Sequence, residues 1–304
     1  MGTLMRIKLY APSEASAKQG FRAAFDRIAQ LDEILSDYNP NSELSRVAAA
    51  AFSQPVSISD DFARVVEASQ QVAAQTEGAF DITVGPLTRL WRQARHDHLV
   101  PQPAAVQAAV ARCGYRKLHF DSAAQTIKLD SPEMLLDVGG LAKGYAADAA
   151  LAVLMNLGLP RALVAASGDL AFGDAPPGEP GWKIGIDSFD HADKPFTRVL
   201  FLTNAAVSTA GSTEQSLETN GKTYSHIIDP KTGMGLVDNI TVTTIARRGI
   251  QADAADTAIS VLGCEKGLAY VERVPGLAAF IVLKNHGQTR SFESNRFKRM
   301  SFAH

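Results

Sequence analysis

The densest chemical signal in the chain is Asp137-Val-Gly139-Gly140-Leu-Ala-Lys143-Gly144-Tyr-Ala-Ala-Asp148. Glycines let the backbone come close to a ligand, a helix start offers unpaired N–H groups, and the lysine adds a full positive charge. The set suits a phosphate. It matches neither a Walker loop, which needs Gly-x4-Gly-Lys-Ser/Thr, nor the Gly-x-Gly-x-x-Gly dinucleotide turn. A strand-to-helix turn whose glycines serve geometry alone is the competing reading.

Five further groups offer oxygen or imidazole chemistry. Gln251 to Gly263 reads as a helix in which Asp253 and Thr257, four apart, share a face, with Asp256 close to it. Hard oxygen donors without histidine or cysteine suit Mg2+ better than zinc, although a carboxylate near a helix start needs no metal. His226 reads as part of a short strand ending at the turn Asp229-Pro230-Lys-Thr-Gly233; it is either a proton-transfer group with Asp229 nearby or a structural histidine. Asp81 and Thr83 present oxygens from a loop before Gly85-Pro86, and Ser167-Gly168-Asp169 reads as a tight turn. The hydroxyls of Ser208, Thr209, Ser212 and Thr213 cluster beside Gly211 in what reads as a polar loop after an apolar strand at 199–203.

The elements that must position these groups follow from periodicity. Strand alternation marks Thr3 to Tyr10, Trp182 to Ile186 and Asn239 to Ala246; helical spacing marks Ser13 to Leu35, Phe62 to Thr76, Pro101 to Gly114 and Ala146 to Leu157. Met134 to Leu136 reads as a short strand, 117–120 and 126–129 as a hairpin, and Ala278 to Leu283 with Arg290 to Met300 as a closing strand pair. Arg89, Arg92 and Arg95 read as a solvated basic face. Strands and helices alternate without regular βαβ spacing. The expected fold is therefore α+β, with mixed, largely antiparallel sheets and packed helices, in a single domain over 1–304.

Bulk properties narrow the function. The 304 residues are 46% hydrophobic and 20% charged, with a net charge of −2, so no overall field favours nucleic acid. Cys113 and Cys264 lack metal-ligand spacing. No apolar run approaches the ~20 residues of a membrane span, and the first ten residues alternate like a strand rather than a leader.

The order of the motifs carries more than any one of them. Met1-Gly-Thr3, Tyr38 with Pro40 and Ser42-Glu-Leu-Ser-Arg46, and Gly78-Ala-Phe-Asp-Ile-Thr-Val-Gly-Pro-Leu87 with Trp91 come first. The Asp137 to Asp148 stretch, Ser167-Gly-Asp169, Val207-Ser-Thr209, His226 to Gly233 and Ala252-Asp-Ala-x-x-Thr257 follow. Over residues 1 to about 270 this succession resembles the FAD:protein FMN transferase family (ApbE). The resemblance implies an enzyme that splits FAD, needs Mg2+, attaches FMN by a phosphoester to a threonine of an acceptor flavoprotein, and releases AMP. It implies that Met1, Tyr38, Ala79, Phe80, Asp81, Asp137, Lys143 and Ile227 contact the flavin nucleotide. Gly140 through its carbonyl, Asp253 and Thr257 would hold the metal. His226 would assist proton transfer, with Asp229 as orienter or rival base. The alternatives are a Mg2+-dependent FAD pyrophosphatase and a non-catalytic FAD-binding protein. This chain departs from the family pattern at Ser167, where glycine is usual, at Gly233-Met-Gly235, where Gly-x-Pro is usual, and at Asp256, where a small neutral residue is common. An export signal normally precedes the family's Met-Gly-Thr, which here stands at residue 1, so the compartment stays open.

Overall fold

The computed structural model describes residues 3–186, 198–211, 216–219, 221–285, 288–300 and 302–303; Met1, Ser212 and Thr213 lie outside them. Strand β1 (Met5–Leu9) leads into α1 (Glu14–Leu35), α2 (Glu43–Ala50), β2 (Val56–Ser57) and α3 (Asp60–Gln75). Ser13, Ser42 and Ser59 start the three helices, each side chain accepting a backbone N–H bond three residues on. Helices α4 (Gly85–Asp97) and α5 (Pro103–Ala111) precede the hairpin β3 (Leu118–Asp121) and β4 (Thr126–Leu129). Then come α6 (Ala142–Asn156), β5 (Ala162–Ala166), β6 (Asp169–Phe172), β7 (Trp182–Ile186), β8 (Arg198–Leu202) and β9 (Ala205–Gly211). The chain continues through β10 (Leu217–Thr219), β11 (Lys222–Tyr224), β12 (Asn239–Ala246), α7 (Gly249–Arg273), β13 (Ala278–Asn285), β14 (Gln288–Glu293), α8 (Asn295–Lys298) and β15 (Phe302–Ala303).

The main sheet runs β1-β5-β6-β9-β12-β13-β14, with every neighbouring pair antiparallel. Both faces are covered, as the period-two pattern requires. Ala279 and Ile281 of β13 join a core built mainly from α1, α3, α6 and α7. Ala278, Phe280 and Val282 face Trp182, Ile184, Leu200 and Phe297, where Phe280 and Phe297 stack at 5.2 Å. The α+β, largely antiparallel expectation holds.

Several local readings change. Helix α6 begins at Ala142 rather than Ala146, so Lys143 and Gly144 sit in its first turn. Met134 to Leu136 is no strand; it lies against the start of α4, where a Cβ on Gly85 would stand 2.5 Å from the Leu135 carbonyl carbon. Residues 206–211 are strand, not loop, because Ala206 and Val207 are buried between β6 and β12. His226 occupies a bend after β11. Gly263 does break α7, at φ 74°, but helix resumes beyond it. Residues 295–298 form α8 instead of continuing a strand.

Neither α6 nor α7 carries a side-chain cap of its own. Each caps the other. Asp253 of α7 accepts the Gly144 N–H at 2.8 Å, while Asp148 of α6 accepts the Gly249 and Ile250 N–H groups at 2.6 and 3.1 Å. The helix starts cross backbone to backbone: a Cβ on Gly144 would stand 2.2 Å from the Gly249 carbonyl oxygen, and one on Gly249 would stand 2.4 Å from that of Gly144. Gly249→Ala is therefore expected to lower unfolding free energy by ~1–3 kcal/mol through overpacking, and Asp148→Ala by ~0.5–2 kcal/mol through the lost cap. Urea denaturation reads both; wild-type midpoints would contradict the interlock.

Candidate active site

One cavity of about 340 Å3 gathers most of the residues singled out in the sequence. Tyr38, Ala79, Phe80 and Asp81 line it from one side; Asp137, Gly140 and Lys143 line it from the α6 entry. His226 and Ile227 come from the loop after β11, and Asp253 and Thr257 from α7. The end of α3 aims its part: Gly78, at φ 80°, closes the helix by donating to the Ala73 carbonyl, and Phe80 N–H bonds Thr76 Oγ1. Asp81 then accepts both the N–H and the hydroxyl of Thr83, while burial pushes its carboxyl above the ordinary range against those bonds.

The floor is acidic. Carboxylate oxygens of Asp169, Asp253 and Asp256, all buried, lie within 4.8 Å of one another. Asp253 and Asp256 come from adjacent turns of α7, and Asp169 opens β6 beside Ser208 of β9. Lys143 is the cation among them, its Nζ 3.1 Å from Asp169 and 3.2 Å from Asp253. Burial works to lower the Lys143 pKa, but Asp253, Asp169 and Asp256 together outweigh it and hold the ammonium above its ordinary value. Burial and then Asp253 push Asp169 up to about 7, and burial with Asp253 and Asp169 raises Asp256 well beyond the usual carboxylate range. Ser208 Oγ contacts both Asp169 and Asp256 and so ties the sheet residue to the helix residue. Three carboxylates against one lysine leave the cluster short of positive charge. A hard divalent cation fits that donor set. Thr257 donates to Asp256 at 3.3 Å, and a Cβ on Gly140 would stand 3.1 Å from Thr257 Oγ1, so these two flank the same point.

Toward the rim, one face of α4 lies along the cavity through Val84, Thr88, Arg92 and Arg95. The expected solvated basic face is thus partly an interior one. Arg92 bonds Asp37 at 2.5 Å, approaches Asp137 at 3.7 Å and covers the Tyr38 ring at 4.1 Å. Arg95 makes no ion pair among the described residues; burial and then the charge of Arg92 lower its pKa. Trp91, flanking that face, is fully buried and donates to the Gly233 carbonyl at 2.8 Å, which anchors the turn beyond His226.

Asp229 is the exception. Its carboxylate accepts Lys231 N–H at 2.9 Å and Thr232 Oγ1 at 3.1 Å, holding the turn, and it is not in the cavity wall. Met1 lies outside the described residues. Asp169 and Arg92 were missed as site residues and Asp256 was left open; its spacing of three from Asp253 is the one signal that pointed at it.

The ApbE family model matches residues 1–281. The chain belongs to the ApbE family. A FAD:protein FMN transferase of Salmonella typhimurium is 32% identical over 307 residues, covering 98% of this chain and 86% of that protein. The flavin transferase ApbE from Vibrio cholerae superposes with a TM-score of 0.89 at 28% identity, covering 99% of this chain and 96% of that one. The apo flavinyl transferase ApbE of Pseudomonas stutzeri gives 0.86 at 29% identity, over 99% and 94%. The stretch from Asp137 to Asp148 thus spans the turn into α6 and the first two turns of that helix, with Lys143 directed into the acidic floor.

Removing that ammonium leaves the carboxylates uncompensated. Lys143→Met is expected to cost ~2 kcal/mol in EDTA, less than the ~3–5 of a fully buried pair, because the side chain is 31% exposed. Chemical denaturation measures it, and unchanged stability would refute the charge balance drawn here.

Proposed function

We propose that this ApbE member is a Mg2+-dependent FAD:protein FMN transferase acting on a threonine of an acceptor flavoprotein. The observation that carries the reading is the buried Asp169–Asp253–Asp256 cluster with Lys143 on the floor of a cavity walled by the family's nucleotide motifs. That cavity draws on residues from Thr3 to Thr257, which supports one functional unit over 1–304.

The reaction balances simply. The acceptor threonine oxygen bonds the phosphorus on the flavin side of FAD, the bond from that phosphorus to the bridging oxygen breaks, and AMP leaves with that oxygen. The threonine proton must go elsewhere. His226, in the cavity wall, is the candidate to take it. Asp229 is not proposed for proton transfer, since the turn uses both its oxygens.

Asp169, Asp253 and Asp256, with Thr257 and the Gly140 carbonyl beside them, would hold Mg2+, which when bound neutralises charge on the pyrophosphate and its leaving oxygen. Lys143 keeps the carboxylates apart in charge terms and holds them near the start of α6. Tyr38 offers a ring face at the rim, 68% exposed and backed by Arg92, on which a planar group can stack. Phe80 packs close to Gly140 and excludes water from that side.

The test follows AMP release from FAD and Mg2+ with and without co-expressed flavoprotein subunits, and mass analysis for a threonine-linked FMN. Transfer predicts acceptor-dependent release and a labelled threonine; fast release without any acceptor favours the pyrophosphatase. Asp253→Asn is expected to lower the rate by at least ~100-fold, a scale set by losing electrostatic stabilisation of the reaction, with the fold retained by circular dichroism. Full activity in that variant would exclude the metal assignment.

A further inference from the structure

A second cavity, of about 730 Å3, shares no lining residue with the first. It lies between α3, α6 and α7, with aliphatic walls from Val72, Ala149, Val153 and Val274. Tyr270 of α7 lines it while being only 1% exposed, and its hydroxyl makes no hydrogen bond among the described residues. The ring is buried but the hydroxyl is not sealed from solvent, so it faces the cavity and is open to bond an occupant.

Three arginines line the mouth. Arg64 and Arg248 are exposed, line the cavity and form no ion pair among the described residues. The third guanidinium, Arg27, is already committed: Asp61 holds it through both oxygens and also accepts the Tyr145 hydroxyl at 2.6 Å. Arg248 lies within electrostatic reach of Asp148, and Arg64 of Asp61, but the Asp148 oxygens bond the Gly249 and Ile250 N–H groups and the Asp61 oxygens bond Arg27 and Tyr145. Glu67 is the other acidic group in the wall. What remains is a pair of guanidiniums without an ion pair, an aliphatic slot and one hydroxyl facing it. Guanidinium suits a phosphate or carboxylate, and the volume lies within the range of small-molecule sites.

We propose that this cavity binds a small anion with a planar body, of mononucleotide size. Arg64 and Arg248 take the anionic group, the slot between α3 and α6 takes the planar body, and the Tyr270 hydroxyl bonds its inner polar edge. Tyr145 follows directly on Gly144 and Ile250 on Gly249, and Asp148 caps the start of α7, so an occupant braces the helix crossing from the side away from the acidic floor.

Calorimetric titration with AMP and, separately, FMN tests this in protein saturated with FAD in EDTA, where the first cavity is filled and turnover is stopped. At least one of the two is expected to bind at one site per chain. Arg64→Glu with Arg248→Glu should weaken that binding at least about tenfold, with circular dichroism showing that the fold is retained. Tyr270→Phe should weaken it by about five- to tenfold while leaving FAD affinity as it was. No binding of either nucleotide to the FAD-saturated wild type, or undiminished binding in the charge-reversed variant, overturns the site. Should FAD itself fail to bind, the transferase reading falls. The AMP and FMN titrations of the free protein, compared with the charge-reversed variant, then still decide this one.

Discussion

The backbone contact between Gly144 and Gly249 is the constraint on which the acidic floor depends. Two helices can start this close together only where both lack a side chain, and each then borrows its missing cap from the other. Asp253 is thereby both a cap for α6 and a member of the carboxylate cluster. Its position is set to within a hydrogen bond by a helix that belongs to the opposite side of the site. Shifting either helix would separate Lys143 from Asp253 and open both caps together.

Charge explains why such rigidity matters. Asp169 and Asp256 come from different layers, sheet and helix, and meet at the Ser208 hydroxyl. Nothing covalent holds them together, and their mutual repulsion would push them apart in a softer frame. The frame is stiff because β9 lies between β6 and β12 and its outward neighbours are buried on both faces. The Lys143 ammonium offsets part of the repulsion, leaving a deficit that a hard cation would remove.

Local spacing made much of this legible. Asp253 and Thr257 lie four apart on one helix, and the glycine-rich turn before α6 announces a close approach. Even there the periodicity misplaced the helix start by a turn, because two glycines argue for a loop until Gly249 supplies the tertiary reason for one of them. Asp169 was invisible by the same logic. A lone aspartate after Ser-Gly is ordinary turn chemistry; only the pairing of Leu170 with Val207, fixed between strands distant in sequence, brings it beside Ser208. The run at 206–211 reads as a polar loop from its hydroxyls, whereas Ser208 is buried against Asp169 and Asp256 and the exposed Thr209 pairs with Thr243 of β12. Arg92 and Arg95 looked solvated because a helix with an apolar face and a basic face usually turns the latter outward, whereas here Tyr38 and Asp37 close over it.

The turn that delivers Asp169 shows what the geometry demands. Ala166 pairs with Asp169 across a two-residue link, so Ser167 and Gly168 must reverse the chain at once. A Cβ on Gly168 would stand 2.9 Å from the Thr209 carbonyl oxygen, and Ser167 adopts φ 57°, in the left-handed region that costs a residue with a side chain ~1–2 kcal/mol. Glycine at position 167 would avoid that strain, which accounts for the residue the family pattern leads one to expect there. Serine persists because its N–H is tied to the Leu4 carbonyl at 3.2 Å, and β1 is paired along its length with β5. The strained residue therefore sits two positions from the carboxylate it presents, and the strand that restrains it is continuous with Thr3 in the wall of the same cavity.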